Sequence, residues 1–289
     1  MDKISDSYFL NGEEVLSLDI TQKLFSSALF YGTGCFETMR FETDTICRFE
    51  DHLSRLYRGL EYLQLPNHLF PPSVFLEQKI TNLVNKNGLN GKSAKIRVQC
   101  SLLENNGYHP DSDVELLTHV RVGKISSDVK PLRLLTAKTR VIPSECRPSG
   151  LKLSNMLHYR SAFREAIEQN YDDALMLSID EYVAETSKAN LFWVKGNRVR
   201  TPSIECSILP GIMRKNTIDA IKNCDTLSIE EGLYKKESII NADFVWVSNS
   251  VVEFCPVLSI DEVELNFNKD LLKEITTIID NVNSRNSRR

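Results

Sequence analysis

The run Ile208-Leu209-Pro210-Gly211-Ile212-Met213-Arg214 sets a Pro-Gly turn ahead of a helical pattern. The first amide N–H groups of a helix have no partner inside it, so a phosphate or another anion can sit there. The same dipeptide also serves as an ordinary helix start. Arg55 could add a charge-assisted hydrogen bond to such an anion, or could be a solvated helix arginine. Lys152 stands between Leu151 and Leu153 as if on a strand. Burial would bring its amine toward nucleophilic range, whereas an edge position would leave the head group in water. Glu185 ends the short run Val183-Ala184-Glu185 and opens a polar loop. The chain shows no Ser-His-Asp order, Walker loop or Gly-x-Gly-x-x-Gly, so hydrolase, P-loop and dinucleotide chemistry have no support.

Each of these residues needs an element to hold it. From Asp51 to Leu63 the apolar residues Leu53, Leu56, Tyr57, Leu60 and Leu63 make one helical stripe, with Arg55 about 200° around the helix from Leu53 and off the core face. A second helix is expected over Ser73 to Lys86, with Ser73 as N-cap and Gly88 near its end. Tyr8-Phe9-Leu10 enters an Asn11-Gly12 hairpin turn, and Lys95 to Gln99 alternates like a strand. Further on come a helix over Tyr159 to Gln169 and a strand at Ala174 to Ser178. A hairpin then runs from Leu191-Phe192-Trp193-Val194 through Lys195-Gly196-Asn197 to Arg198-Val199-Arg200. A helix carrying Ile212, Ile218 and Ile221 follows Pro210-Gly211, and Phe244 to Val247 reads as a buried strand. Polar, aperiodic Gly123 to Lys130 is the best linker, giving domains over 1–122 and 131–289, both of mixed α/β (α+β) character.

Composition narrows the class. The 289 residues, 42% hydrophobic and 26% charged, are those of a folded globular protein. A net charge of −4 gives no basic field for polyanions, so no nucleic-acid partner is expected. Seven scattered cysteines without Cys-x-x-Cys spacing read as reduced thiols, and five histidines without helical ligand spacing supply no metal site. With neither a signal-peptide pattern nor a membrane-length apolar run, a cytoplasmic protein with no membrane partner is expected.

Six segments in register resemble the class IV aminotransferase family of pyridoxal-phosphate enzymes, also called fold type IV, over nearly the whole chain. They are Tyr31-Gly32-Thr33-Gly34-Cys35-Phe36-Glu37-Thr38-Met39-Arg40; His52-Leu53-Ser54-Arg55-Leu56; Lys152-x-x-Asn155-x-Leu157; Glu185-x-x-x-x-Asn190-Leu191-Phe192; Leu209-Pro210-Gly211-Ile212-Met213-Arg214; and Ser248-Asn249-Ser250 before Pro256-Val257. The resemblance implies two α/β domains, a smaller N-terminal and a larger C-terminal one, with pyridoxal 5'-phosphate in the crevice between them, and a homodimer. It casts Lys152 as the lysine that holds the cofactor as a Schiff base and shuttles the substrate proton, and Glu185 as the carboxylate facing the pyridine nitrogen. The phosphate would lie among Arg55, the amides of Ile212 and Met213 beyond Gly211, and the Asn249-Ser250 turn, with Leu209 packed on the ring. Tyr31 and Tyr108 are candidate contacts for a small-molecule amine substrate, and equally candidates for aromatic packing.

Gly34-Cys35-Phe36, Asn190-Leu191-Phe192-Trp193, Lys195-Gly196-Asn197, Thr201-Pro202 and Gly211-Ile212-Met213-Arg214 look most like the family's lyase branch, which turns 4-amino-4-deoxychorismate into 4-aminobenzoate and pyruvate on the folate route. There Thr38 would assist the leaving oxygen. The alternative is transamination of D-amino acids, branched-chain amino acids or another small amine donor. Three positions depart from family patterns. Met213 replaces a frequent threonine, so the phosphate would depend on backbone N–H groups. Met156 replaces a tyrosine of the branched-chain branch that bonds the ring hydroxyl. Asn106-Gly107-Tyr108 stands where several relatives have Arg-Gly-Tyr.

Overall fold

The computed structural model describes residues 6–15, 26–104, 108, 114–125 and 130–286. The chain divides into two units, Met1–Ser126 with Leu151–Asn155, and Ser127–Gly150 with Met156–Arg289.

The first unit is a six-stranded antiparallel sheet with one face under two helices. Its elements are β1 (Asp6–Leu10), β2 (Glu13–Val15), α1 (Ser27–Tyr31), β3 (Gly34–Glu42), β4 (Thr45–Ile46), α2 (Phe49–Tyr62), α3 (Ser73–Lys86), β5 (Ala94–Leu103) and β6 (Glu115–Lys124), and the strand order is β2-β1-β6-β5-β3-β4. The expected Asn-Gly hairpin joins β1 to β2, with Leu10 opposite Glu13 and positive φ at both turn residues. Alternation on β3 and β5 sends Cys35, Met39, Phe41, Ile96, Val98 and Cys100 to the helix-covered face, where they pack on Leu53, Leu56 and Leu60 of α2 and Leu76, Ile80 and Leu83 of α3. Two local expectations are corrected. Pro72, not Ser73, takes the N-cap position of α3, because proline tolerates the loss of an N–H there and Ser73 is already helical. Strand β6 also runs through Gly123 and Lys124, paired with Lys95 and Ala94, so the polar stretch read as a linker begins inside a strand. Residues 126–129 lie outside the described ones.

Leu151–Asn155, assigned from sequence to the second half, groups with the first unit. The reason is a backbone bridge to β3: the Phe36 N–H donates to the Lys152 carbonyl at 2.9 Å, and the Ser154 N–H to the Gly34 carbonyl at 2.8 Å.

The second unit is built on a nine-stranded sheet. Its elements are β7 (Leu132–Thr136), α4 (Leu157–Glu168), β8 (Asp173–Leu177), β9 (Val183–Thr186), β10 (Asn190–Lys195), β11 (Arg198–Pro202), α5 (Ile212–Lys222), β12 (Ser228–Gly232), α6 (Glu237–Ile240), β13 (Phe244–Ser248), β14 (Cys255–Ile260), β15 (Val263–Glu264) and α7 (Lys269–Asn286). The strands run β12-β11-β10-β13-β14-β7-β8-β9, and a further pairing of β9 with β10 closes six of them on themselves. That closure rests on one pair, Asn190 opposite Glu185. Every residue of β13 is buried, as its unbroken apolar run suggested. Outside the closed circuit, Met213, Ile218 and Ile221 of α5 share a core with Phe192, Trp246, Ile275 and Ile279.

Candidate active site

In the first unit, β3 carries chemistry on both faces. Glu37 points to the helix side with 1% of its surface exposed, and α2 brings two partners to it. Arg55 Nε donates to Glu37 Oε1 at 2.6 Å and its Nη2 to Oε2 at 2.8 Å, while His52 Nδ1 meets Oε2 at 2.6 Å. His52 and Arg55 are three residues apart and therefore neighbours on the helix surface. The close approach depends on Gly59, since a Cβ there would stand 2.9 Å from the Cβ of Cys35. Arg55 is thus buried rather than off the core face, because the sheet supplies a carboxylate that the apolar pattern of the helix alone could not reveal. Burial works against the Glu37 charge, but the charge and hydrogen bonds of Arg55, with His52 behind them, hold its pKa down to about 2. Burial pushes the His52 pKa down despite that carboxylate, so the ring is neutral at neutral pH and donates from Nδ1. Its Nε2 is buried with no hydrogen-bond partner among the described residues.

The opposite face of β3 presents Phe36 and Thr38. The Lys152 Nζ lies 4.9 Å from the centroid of the Phe36 ring and the Arg97 guanidinium 3.7 Å from it. Arg97 is also the cross-strand partner of Thr38, so amine, guanidinium and hydroxyl share one patch. Lys152 is half-buried, and its backbone is pinned by the bridge to β3. Gln99 braces the same segment, donating to Ser154 Oγ at 2.7 Å. Tyr31 is 45% and Tyr108 89% exposed, with ring centroids 4.9 Å apart. Asn106 and Gly107 lie outside the described residues.

In the second unit, Glu185 is buried at the end of β9. Its Oε1 accepts the Leu209 N–H at 3.0 Å and the Tyr159 hydroxyl, and its Oε2 accepts Asn190 Nδ2 at 3.1 Å. Asn190 also donates to the Leu209 carbonyl at 2.8 Å, so one side chain ties the acid to the turn before α5. Gly211 caps α5 without a side-chain hydrogen bond, and a Cβ there would fall 2.1 Å from Asn190 Oδ1, so this approach admits only glycine. Ile212 and Met213 form the first turn of α5. The Met213 side chain is in the core. Arg214 is buried on the Pro202 carbonyl and Glu231. Leu209 and Ser250 are half-buried. The side-chain carbonyl oxygen of Asn249 is used in its own turn, accepting from the Val251 and Val252 amides at 2.9 Å each.

Arg147 packs beside the acid's neighbours, its Nη2 meeting Met156 Sδ at 3.6 Å. Burial and then the Arg147 charge push His158 down to about 4. Burial and the adjacent Glu185 raise Tyr159 well above its usual range, so its phenol stays protonated and donates.

The six residues to which the sequence assigned no role are Glu37, His52, Arg97, Arg147, Tyr159 and Asn190. An acid inside the apolar β3 run and a histidine one turn before Arg55 were visible signals for two of them. Asn190 stands in the quoted Glu185-x-x-x-x-Asn190 segment, whereas Arg97, Arg147 and Tyr159 have no such signal, since only tertiary contact brings them to their partners. Among the described residues, no group of three His, Cys, Asp or Glu is placed to hold a metal, and no helix is long and apolar enough to cross a membrane.

Each unit by itself holds groups of the kind that a phosphorylated pyridine aldehyde binds. The first unit offers an amine and a fixed guanidinium; the second offers a buried carboxylate and an uncapped helix start. Ser248 Oγ and Thr217 Oγ1, at the end of β13 and within α5, are buried without partners among the described residues. Hydroxyls left so are unusual unless something else meets them.

Residues 34–260 match the family model described as amino-transferase class IV. The chain is 26% identical to an aminodeoxychorismate lyase of Bacillus subtilis, over 88% of this chain and 87% of that protein. It is 26% identical to a branched-chain-amino-acid aminotransferase of Escherichia coli, over 91% and 87%. Among solved structures, an Escherichia coli branched-chain amino acid aminotransferase superposes with a TM-score of 0.84 at 24% identity, over 94% of this chain and 93% of that one. A second branched-chain amino acid aminotransferase, solved with pyridoxamine 5'-phosphate, gives 0.83 at 24% identity, over 98% and 96%.

Proposed function

The chain belongs to the class IV aminotransferase family, and from that membership we propose that it is the lyase that converts 4-amino-4-deoxychorismate to 4-aminobenzoate and pyruvate. Membership makes it a pyridoxal-phosphate-dependent enzyme of mixed α/β fold. In this reading Lys152 holds the cofactor, Arg55 and the amides of Ile212 and Met213 meet its phosphate with the Asn249-Ser250 turn, Leu209 packs on the ring and Glu185 faces the ring nitrogen. The bound cofactor supplies an electron sink for the carbon next to the substrate amine.

The observation that carries the lyase reading is the patch on β3. The Lys152 amine and the Arg97 guanidinium share the Phe36 ring, with Thr38 paired to Arg97. The substrate is a dicarboxylate with an ether oxygen to expel, and this patch offers a base, a cation for a carboxylate and a hydroxyl for that oxygen. Lys152, released when the substrate's amino group takes its place on the cofactor, removes the proton from the ring carbon bearing that group. The carbon–oxygen bond to the enolpyruvyl group breaks as the ring becomes aromatic. The same amine returns the proton to the methylene carbon of the departing fragment, which leaves as pyruvate, so no water or co-substrate is consumed. The Thr38 hydroxyl donates to the leaving oxygen. Tyr31 and Tyr108 are aromatic contacts for the substrate.

Transamination is the competing reading, favoured by the aminotransferases among the relatives. It would use the same lysine to move the proton to the cofactor instead. Incubation with aminodeoxychorismate, followed by fluorescence of 4-aminobenzoate, separates the two. Product without any keto acid supports the lyase. Product only with a keto acid acceptor, or none, contradicts it.

A further inference from the structure

Glu185 is a carboxylate taken almost wholly out of water, 3% exposed, at the single pair that closes the strand circuit of the second unit. A buried carboxylate left alone reverts to the neutral acid, and hydrogen bonds donated to it favour the ion. Two of the donors come from backbone-fixed places, the Leu209 amide and the Asn190 side chain at the start of β10. The third is different in kind. The Tyr159 hydroxyl reaches Glu185 Oε1 from α4, an element separated along the chain from both β9 and the turn before α5.

We propose that Tyr159 is a positioning residue that keeps Glu185 ionised and fixed in orientation, and so holds the proton on the ring nitrogen of the bound cofactor. The inference rests on the reading that Glu185 faces that nitrogen. Tyr159 and Leu209 occupy Oε1 from two directions while Asn190 meets Oε2, so the carboxylate cannot rotate without breaking one of the three. The charged and titratable groups bearing on the Tyr159 phenol are Glu185 and Arg147, with the His158 ring packed on the tyrosine at a centroid distance of 4.1 Å. His158 is neutral near pH 7, so Arg147 is the one standing cation of that set. Its charge favours the carboxylate in the same sense as the phenol does. Without the phenol, the carboxylate competes better for the proton it shares with the ring nitrogen, and the ion pair gives way to two neutral groups. The carbanion then loses part of its electron sink.

Two nuclear-resonance readouts test this in the intact chain. In cofactor-free protein labelled with carbon-13 at glutamate carboxyls, the Glu185 signal, identified by its loss in Glu185→Gln, should titrate about one pH unit higher in Tyr159→Phe. A fluorinated tyrosine at 159, a stronger donor, should move it the other way. In protein loaded with cofactor carrying nitrogen-15 in the ring, Tyr159→Phe should shift the ring nitrogen toward neutral pyridine, part of the way that Glu185→Gln does. An unmoved Glu185 titration in both Tyr159 variants overturns the link between phenol and acid. A moved titration with a ring nitrogen indifferent even to Glu185→Gln instead overturns the assignment of Glu185, and the proposal with it.

Discussion

Glu37 and Arg55 are worth little apart. A carboxylate and a guanidinium this deeply buried are tolerated only together, and removing one leaves the other as an uncompensated charge. Glu37→Ala should therefore lower unfolding stability by about 3 to 5 kcal/mol, measured by urea denaturation. Arg55→Ala should weaken retention of pyridoxal phosphate by about 1.5 to 3 kcal/mol, the worth of a charged hydrogen bond, read by equilibrium dialysis. If Glu37→Ala proves as stable as the unaltered chain, the ion pair does not have the role drawn from its geometry. Lys152 is a simpler case, being half-buried with its backbone bridged to β3. Lys152→Ala should keep the circular dichroism and melting of the parent while turnover disappears. Unchanged turnover would remove it from the chemistry.

At the scale of elements, α2 and α4 each deliver a histidine that burial keeps neutral. His158 sits at about 4 against 6.5 in the open chain, because burial and then Arg147 disfavour its charge. His52 is lowered for the first of these reasons, although Glu37 opposes it. A group whose folded pKa is depressed lends stability that is complete above its unfolded value and drains away as pH falls through its folded one. Stability should accordingly decline from pH 6.5 toward pH 4. It should fall again below about 4.5 as protons reach Glu37, whose folded value is near 2. His158→Phe should abolish about 1 to 2 kcal/mol of the first decline, a figure discounted for the partial exposure of the ring. Urea midpoints across this pH range measure it, and a flat profile would contradict the neutral-histidine assignment. The helix α2 also depends on its contact with β3, so Gly59→Val should loosen that contact and destabilise the first unit by about 1 to 3 kcal/mol.

Across the whole molecule, what the sequence made legible followed the reach of its signals. Alternation and turn chemistry are local, which is why the Asn11-Gly12 hairpin, the return through Lys195-Gly196-Asn197 and the buried strand at Phe244 read correctly from spacing. The closure of β9 on β10 has no local mark, since one residue pair carries it. Arg55 reads as surface because periodicity ranks a helix by its apolar residues, and its partner is 18 residues away on another element. Lys152 stands out by its flanking leucines, yet its grouping with the first unit follows from backbone bonds to Gly34 and Phe36 that no pattern encodes. The acid at 185 was visible, and the phenol that holds it was not.

Borohydride reduction of the cofactor-loaded protein, followed by peptide mass mapping, addresses the amine on which the chemistry turns. One pyridoxyl-phosphate adduct is expected, on Lys152, and none in Lys152→Ala. An adduct on any other lysine, or its persistence in Lys152→Ala, would contradict the role given to that amine.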